Sequence, residues 1–167
     1  MMKIFKFERS QILPLSMDQA WQYFSNPLNL ADITPPQLSL QIKGQYAGEI
    51  YNGMIINYTV KPLAGITMEW VSEIKHVNKP YLFVDEQRTG PYKFWYHQHF
   101  FKPKGKKVEI IDVVYYALPL GILANVLNHL IIKRKLNEIF EFRKEVLTQK
   151  FDHLLVAGSD GLFGNRK

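Results

Sequence analysis

Gly90-Pro91-Tyr92-Lys93-Phe94-Trp95-Tyr96-His97-Gln98-His99-Phe100 is the stretch on which the reading of this chain turns. Its aromatic density reads as a strand, and its opening Gly-Pro as the turn that leads into it. Successive side chains of a strand point to opposite faces. Trp95, His97, His99 and Phe101 therefore share one face, and Phe94, Tyr96, Gln98 and Phe100 the other. Beyond the turn residues Lys104-Gly105, a second run puts Val108, Ile110, Asp112, Val114 and Tyr116 on one face. One side of this hairpin thus mixes aromatic, aliphatic and ionisable groups. Such a wall suits a binding cavity better than a solid core.

If both mixed faces look into the same space, directly opposed residues must have numbers with an odd sum. One such register closes a loop over 102–107 and sets His97 opposite Asp112. The neighbouring register sets His99 there instead. Either brings an imidazole to a carboxylate. A buried carboxylate needs a partner, and on this face histidine is the only nearby cation. The pair reads as a general base or ligand-orienting dyad in which Asp112 fixes the tautomer, or as a polar tie between two strands. His97 and His99 also have the spacing at which one strand supplies two metal ligands. Only Asp112 or Asp85 stands near enough to be a third, so neither a metal nor another cofactor is expected.

Composition narrows the remaining classes. The chain has 167 residues, 47% hydrophobic and 22% charged, which suits one folded domain with a substantial core. Cysteine is absent, excluding disulfides and thiol chemistry. The net charge of +6 is spread along the chain, apart from Lys102, Lys104, Lys106 and Lys107 in one turn and Lys133-Arg134-Lys135 in one helix. No nucleic-acid motif accompanies these groups, so no nucleic-acid partner is expected. The N-terminus lacks a signal-peptide core, and the apolar stretch 117–132 is interrupted by Asn125, Asn128 and His129. A soluble cytoplasmic protein is the expectation. No serine lies in a nucleophile elbow, and no glycine-rich turn forms a phosphate loop.

Along the chain, 3–13 reads as a strand. Ser16 caps a short helix over 17–24, and Asn26-Pro27 opens a second through Asp32. Strand-like runs follow at 38–42, 54–61, 66–77, 81–88, 92–101 and 107–118, separated by Gly- and Pro-containing turns. Helical periodicity runs from Leu120 to Lys150. This order makes an α+β domain with an antiparallel sheet. The last helix changes its apolar face: Leu120, Leu123, Leu127, Leu130 and Ile131 form one stripe, and Leu136, Ile139, Phe140, Val146 and Leu147 another nearly opposite. A bend or break is expected over 132–136. The segment 152–167 shows no sustained period and is expected to be a flexible or loosely docked tail on a domain spanning 1–151.

Several segments carry a family resemblance in chain order: Asp18 to Phe24, Asn26-Pro27-Leu28-Asn29-Leu30, Ile33-Thr34-Pro35-Pro36, Gly53 to Tyr58, Trp70 to Ile74, Phe83 to Gln87, Gly90-Pro91-Tyr92, Trp95 to Phe101, Asp112 to Tyr116, Leu118-Pro119-Leu120-Gly121, and Ile139 to Arg143. In these the chain resembles the ligand-binding SRPBCC proteins, also called START-like or helix-grip proteins, in their bacterial polyketide cyclase/dehydrase-like branch. The resemblance implies a curved seven-stranded antiparallel sheet gripping a long C-terminal helix, with two short helices after the first strand. It also implies an elongated apolar cavity between sheet and helix.

Strand parity together with the resemblance nominates Tyr58, Trp70, Ser72, Phe83, Gln87, Trp95, His97, His99, Asp112, Val114 and Tyr116 as cavity residues, with Ile56, Ile74 and Asp85 beside them. The leading expectation is carriage or sensing of a small hydrophobic ligand such as a lipid, an isoprenoid or a polyketide-like aromatic. The alternative is a cyclase or dehydratase in which His97 or His99, supported by Asp112, moves a proton while Tyr58 or Tyr116 supports an oxyanion. A third possibility is peripheral membrane contact through Leu123, Leu127, Leu130 and Ile131 beside the basic run 133–135. Oligomeric state is left open.

Overall fold

The computed structural model describes residues 2–62, 65–119, 127–152 and 154. Seven strands, β1 (Phe5–Leu13), β2 (Gln41–Lys43), β3 (Ile55–Val60), β4 (Met68–Asn78), β5 (Leu82–Thr89), β6 (Phe94–Lys104) and β7 (Lys107–Ala117), form one sheet. Its order is β1-β7-β6-β5-β4-β3-β2, with every neighbouring pair antiparallel. The sheet is curved around the C-terminal helix, as the helix-grip resemblance implies. Register shifts between Val71 and Ser72 and between Ile74 and His76 interrupt the β4–β5 ladder; such irregularities bend a strand and increase its twist.

Helix α1 (Met17–Phe24) starts at Ser16 through a capping box: the Gln19 N–H donates to the Ser16 hydroxyl, and the Ser16 N–H to the Gln19 side chain. It buries Ala20 and Trp21, and the Trp21 ring meets Phe83 and Phe101 edge-on. The second short helix is a 3₁₀ turn over Pro27–Leu30 that ends before Asp32. The Thr34 hydroxyl donates to the Leu30 carbonyl at 2.6 Å and closes that end. A further 3₁₀ turn, Pro36–Leu38, takes the beginning of the strand expected over 38–42, because consecutive prolines favour that conformation over a ladder position.

The discontinuity of the last helix lies slightly upstream of 132–136. Asn128–Ile132 form a π turn, and α2 (Lys133–Phe151) continues from it. The wider turn takes up an extra residue, and this re-aims the apolar stripe. Leu136, Phe140 and Leu147 of α2 are buried, and Phe140 packs on Phe7 with ring centroids 5.0 Å apart. The Gln11 amide ties β1 to α2 through the Lys144 carbonyl and the Thr148 hydroxyl. The Tyr116 hydroxyl donates to Asn128 Oδ1 at 2.6 Å, anchoring the π turn to β7. Leu120 and Leu123 of the first stripe lie outside the described residues, as does the tail expected over 152–167 apart from Asp152 and Leu154.

Candidate functional site

Sheet and helix enclose a cavity of about 440 Å³. β3 to β6, α2, the π turn and the two 3₁₀ turns all contribute to its lining. Its charged side chains come from β5, β6 and α2, and β7 stands behind them. Here the second of the two registers is realised, with His99 opposite Asp112 and His97 opposite Val114. A two-residue turn, Gly105-Lys106, sets it. Gly105 has φ +63°, the left-handed conformation that a glycine at the first position of such a turn allows.

Direct opposition turns out not to matter, because Asp112 reaches both imidazoles. Its Oδ1 accepts from His97 Nε2 at 2.9 Å and from His99 Nδ1 at 2.9 Å. The other nitrogen of each ring faces Asp85, which β5 places opposite His97. His99 Nε2 donates to Asp85 Oδ1 at 2.9 Å, and His97 Nδ1 stands 3.6 Å from the same oxygen. Two carboxylates therefore bracket two imidazoles whose ring centroids are 3.8 Å apart and whose planes are tilted by 37°. Phe83 covers the outer face of His99 at 4.1 Å.

Histidine is not the only cation. Arg143 of α2 is buried, its Nη1 lies 3.6 Å from Asp112 Oδ1, and its guanidinium sits over the Phe140 ring. Its Nε has no hydrogen-bond partner among the described residues. Burial alone would push the Asp112 carboxyl upward, but hydrogen bonds from both histidines and the charges of His99 and Arg143 hold it well below the usual carboxylate range. Burial also opposes charge on His99. Hydrogen bonds to Asp112 and Asp85 outweigh it and raise this imidazole, as two acceptor-flanked ring nitrogens require. His97 is lowered by burial and by the charge of His99, and so stays neutral.

A second polar group lies on β3 and β4 and carries no charge. The Ser72 hydroxyl lies 3.1 Å from the Tyr58 hydroxyl and accepts from Trp70 Nε1 at 3.1 Å. Burial, reinforced by the charge of Asp85, pushes the Tyr58 phenol well above its ordinary range, so it remains protonated.

Of the nominated residues, Tyr58, Trp70, Ser72, Phe83, Trp95, His97 and His99 line the cavity, together with Ile56, Ile74 and Asp85. Asp112, Val114, Gln87 and Tyr116 do not line it. Asp112 lies behind the imidazoles, and Val114 is fully buried in the core. The Gln87 amide folds back to bridge the N–H and carbonyl of Tyr92. A Cβ on Gly90 would collide with Gln87 Oε1, so glycine there leaves room for this bridge. Tyr116 is committed to Asn128. Leu127 lines the cavity, Leu130 and Ile131 are exposed, and Leu123 lies outside the described residues. The role of Arg143 was not foreseen. Its signal was a lone arginine on the apolar side of the helical stripe.

A curved antiparallel sheet gripping a C-terminal helix defines the SRPBCC-type, helix-grip fold, and this chain has it. Norcoclaurine synthase from Thalictrum flavum, solved with dopamine and hydroxybenzaldehyde, is similar with a TM-score of 0.62 at 17% identity, over 89% of this chain and 88% of that one. A protein from Thermus thermophilus matches with a TM-score of 0.64 at 15% identity, over 91% and 98%. Ginseng major latex-like protein 151 from Panax ginseng matches with 0.61 at 10%, over 89% and 97%. At such identities the likeness is one of fold. No family model matches the chain, and no curated protein matches its sequence. Among the described residues, no helix is long and apolar enough to cross a membrane.

Proposed function

We propose that this protein binds a small hydrophobic molecule, such as a lipid, an isoprenoid or a polyketide-like aromatic, and carries or senses it without turnover. The observation that carries this reading is the asymmetry of the cavity. Its volume of about 440 Å³ suits a small ligand. Most of its wall is aliphatic or aromatic, including Leu30, Val60, Met68, Trp95 and Leu136, while Asp85, His97, His99 and Arg143 gather in one cluster around Asp112, and Lys135 of α2, paired with Glu138, is the other charged lining group. An elongated ligand with an apolar body and one oxygen-bearing head fits both. The body displaces water from the wall, and the head meets the polar groups that Asp85, His97, His99 and Arg143 bring to the lining. That norcoclaurine synthase, of the same fold, was solved with two small aromatics supports the size class.

Native mass spectrometry of the purified chain, followed by a thermal-shift screen of apolar molecules with and without a carboxylate or phenol head, tests the reading. Co-purification of an apolar molecule, or stabilisation that depends on the head group, is the expected result. A chain that carries nothing and responds to none of the panel overturns it.

The enzymatic reading is favoured by one observation: both imidazoles face the cavity with Asp112 behind them. In that reading neutral His97 takes the proton and protonated Tyr58 supports the oxyanion. His97→Gln then abolishes turnover of a polyketide-like substrate and leaves its affinity nearly unchanged. Parallel loss of both favours the carrier.

A further inference from the structure

Asp85, His97 and His99 each offer a ligand atom, and these atoms all lie within 4.8 Å of one another. Their arrangement is more specific than proximity. Asp112 Oδ1 takes one nitrogen of each imidazole, Nε2 of His97 and Nδ1 of His99, both at 2.9 Å. That leaves His97 Nδ1 and His99 Nε2 directed at a single oxygen, Asp85 Oδ1, at 3.6 and 2.9 Å. A first-row ion bonded at about 2.05 Å holds neighbouring ligand atoms roughly 2.9 Å apart at right angles and roughly 3.4 Å apart in a tetrahedron. The His99 separation of 2.9 Å matches the right-angle value, and the His97 separation of 3.6 Å lies just beyond the tetrahedral one, so that His97 Nδ1 closes slightly when the ion binds. Metal-bound histidines characteristically donate their second N–H to a carboxylate, which fixes ring orientation and strengthens the ligand. Here one buried carboxylate performs that service for both rings, and Arg143 balances it.

We infer that Asp85 Oδ1, His97 Nδ1 and His99 Nε2 form a binding site for a divalent first-row transition ion of the zinc or ferrous class, with its open side toward the cavity. Two imidazoles among three donors select such ions over magnesium or calcium. The charge balance agrees. Ligation requires both imidazoles to be neutral; two carboxylates against one guanidinium then leave one negative charge, and a divalent ion reverses its sign. The ion would then attract an anionic or strongly dipolar oxygen from the cavity's occupant and polarise it as a Lewis acid. His76 and His129, both exposed, offer no comparable cluster.

The test is titration of the chelator-treated full-length protein with cobalt(II), read by visible absorption, then displacement by zinc. One cobalt per chain is expected, with d–d bands of a four- or five-coordinate ion, unaffected by excess magnesium. Asp85→Asn and His99→Gln remove the bands, and Asp112→Asn weakens binding about 10- to 100-fold. His76→Gln and His129→Gln change nothing. Should the ligand variants fail to fold, proton NMR of the cobalt-loaded wild type decides. Two slowly exchanging, paramagnetically shifted imidazole N–H signals, one from each of His97 and His99, are expected, and their absence overturns the inference. So does the lack of one-to-one binding, or binding that survives Asp85→Asn but not His76→Gln. A protein that takes cobalt yet no apolar molecule keeps this site and sinks the carrier; the opposite result does the reverse.

Discussion

Two polar groups face the same cavity and are built in opposite ways. On β3 and β4, Tyr58, Trp70 and Ser72 form a neutral trio in which one small hydroxyl serves two large aromatic side chains. On β5 to β7, Asp85, His97, His99 and Asp112 form a charged cluster that also needs a guanidinium from α2. Burying hydroxyl and indole groups costs little once they are paired, whereas burying carboxylates costs several kcal/mol per ion before pairing. The neutral trio is explained by packing and hydrogen bonding alone. The charged cluster is not, since apolar residues of similar volume would stabilise the fold as well or better. Its presence on the cavity wall therefore points to work rather than to stability.

Breaking each group should separate them by magnitude. Asp112→Ala strands Arg143 beside two imidazoles and is expected to lower unfolding free energy by about 3–5 kcal/mol, read from denaturant midpoints. Acid removes the same charge. The folded-state value of Asp112 is depressed, so its contribution is fully present above the ordinary carboxylate value near pH 4 and is lost as pH falls through the lower folded value. The acid slope of wild-type stability below about pH 4 should consequently flatten in Asp112→Asn. A flattening equal to that from replacing an exposed carboxylate would remove the distinction between the two groups. Ser72→Ala leaves the Tyr58 hydroxyl and Trp70 N–H unpaired and is expected to cost about 1–3 kcal/mol. A cost matching Asp112→Ala would show the neutral trio to be equally demanding. Glu138→Ala breaks exposed pairs with Arg134 and Lys135, which solvent screens, and sets the floor, with a denaturant midpoint essentially unchanged.

The same contrast explains what could be read from the chain. Strand parity was legible because a period of two assigns faces without any knowledge of neighbours, and β6 and β7 turn inward the residues expected. The change of apolar stripe in the last helix was legible for a similar reason, although a π turn absorbs it one turn earlier than 132–136. The pairing of a β6 histidine with Asp112 was legible because a short turn joins their strands, but partnerships beyond that hairpin were not. Asp85 meets the histidines through the β5–β6 register, which no turn of fixed length announces. Arg143 arrives from a helix whose rotation depends on that π turn. Gln87 and Tyr116 were assigned by parity to the cavity but are claimed by backbone at Tyr92 and by Asn128, both local hydrogen-bonding choices that periodicity does not encode.

The tight turn at Gly105-Lys106 has a consequence for how this molecule can diversify. Because it locks β6 to β7, one inserted or deleted residue there would swing an entire strand's side chains to the outer surface. Descendants of this sequence are thus free to exchange individual groups along the two strands but not to alter the length between them. New ligand preferences must arise by substitution here, with lengthening and shortening confined to the rim around the 3₁₀ turns.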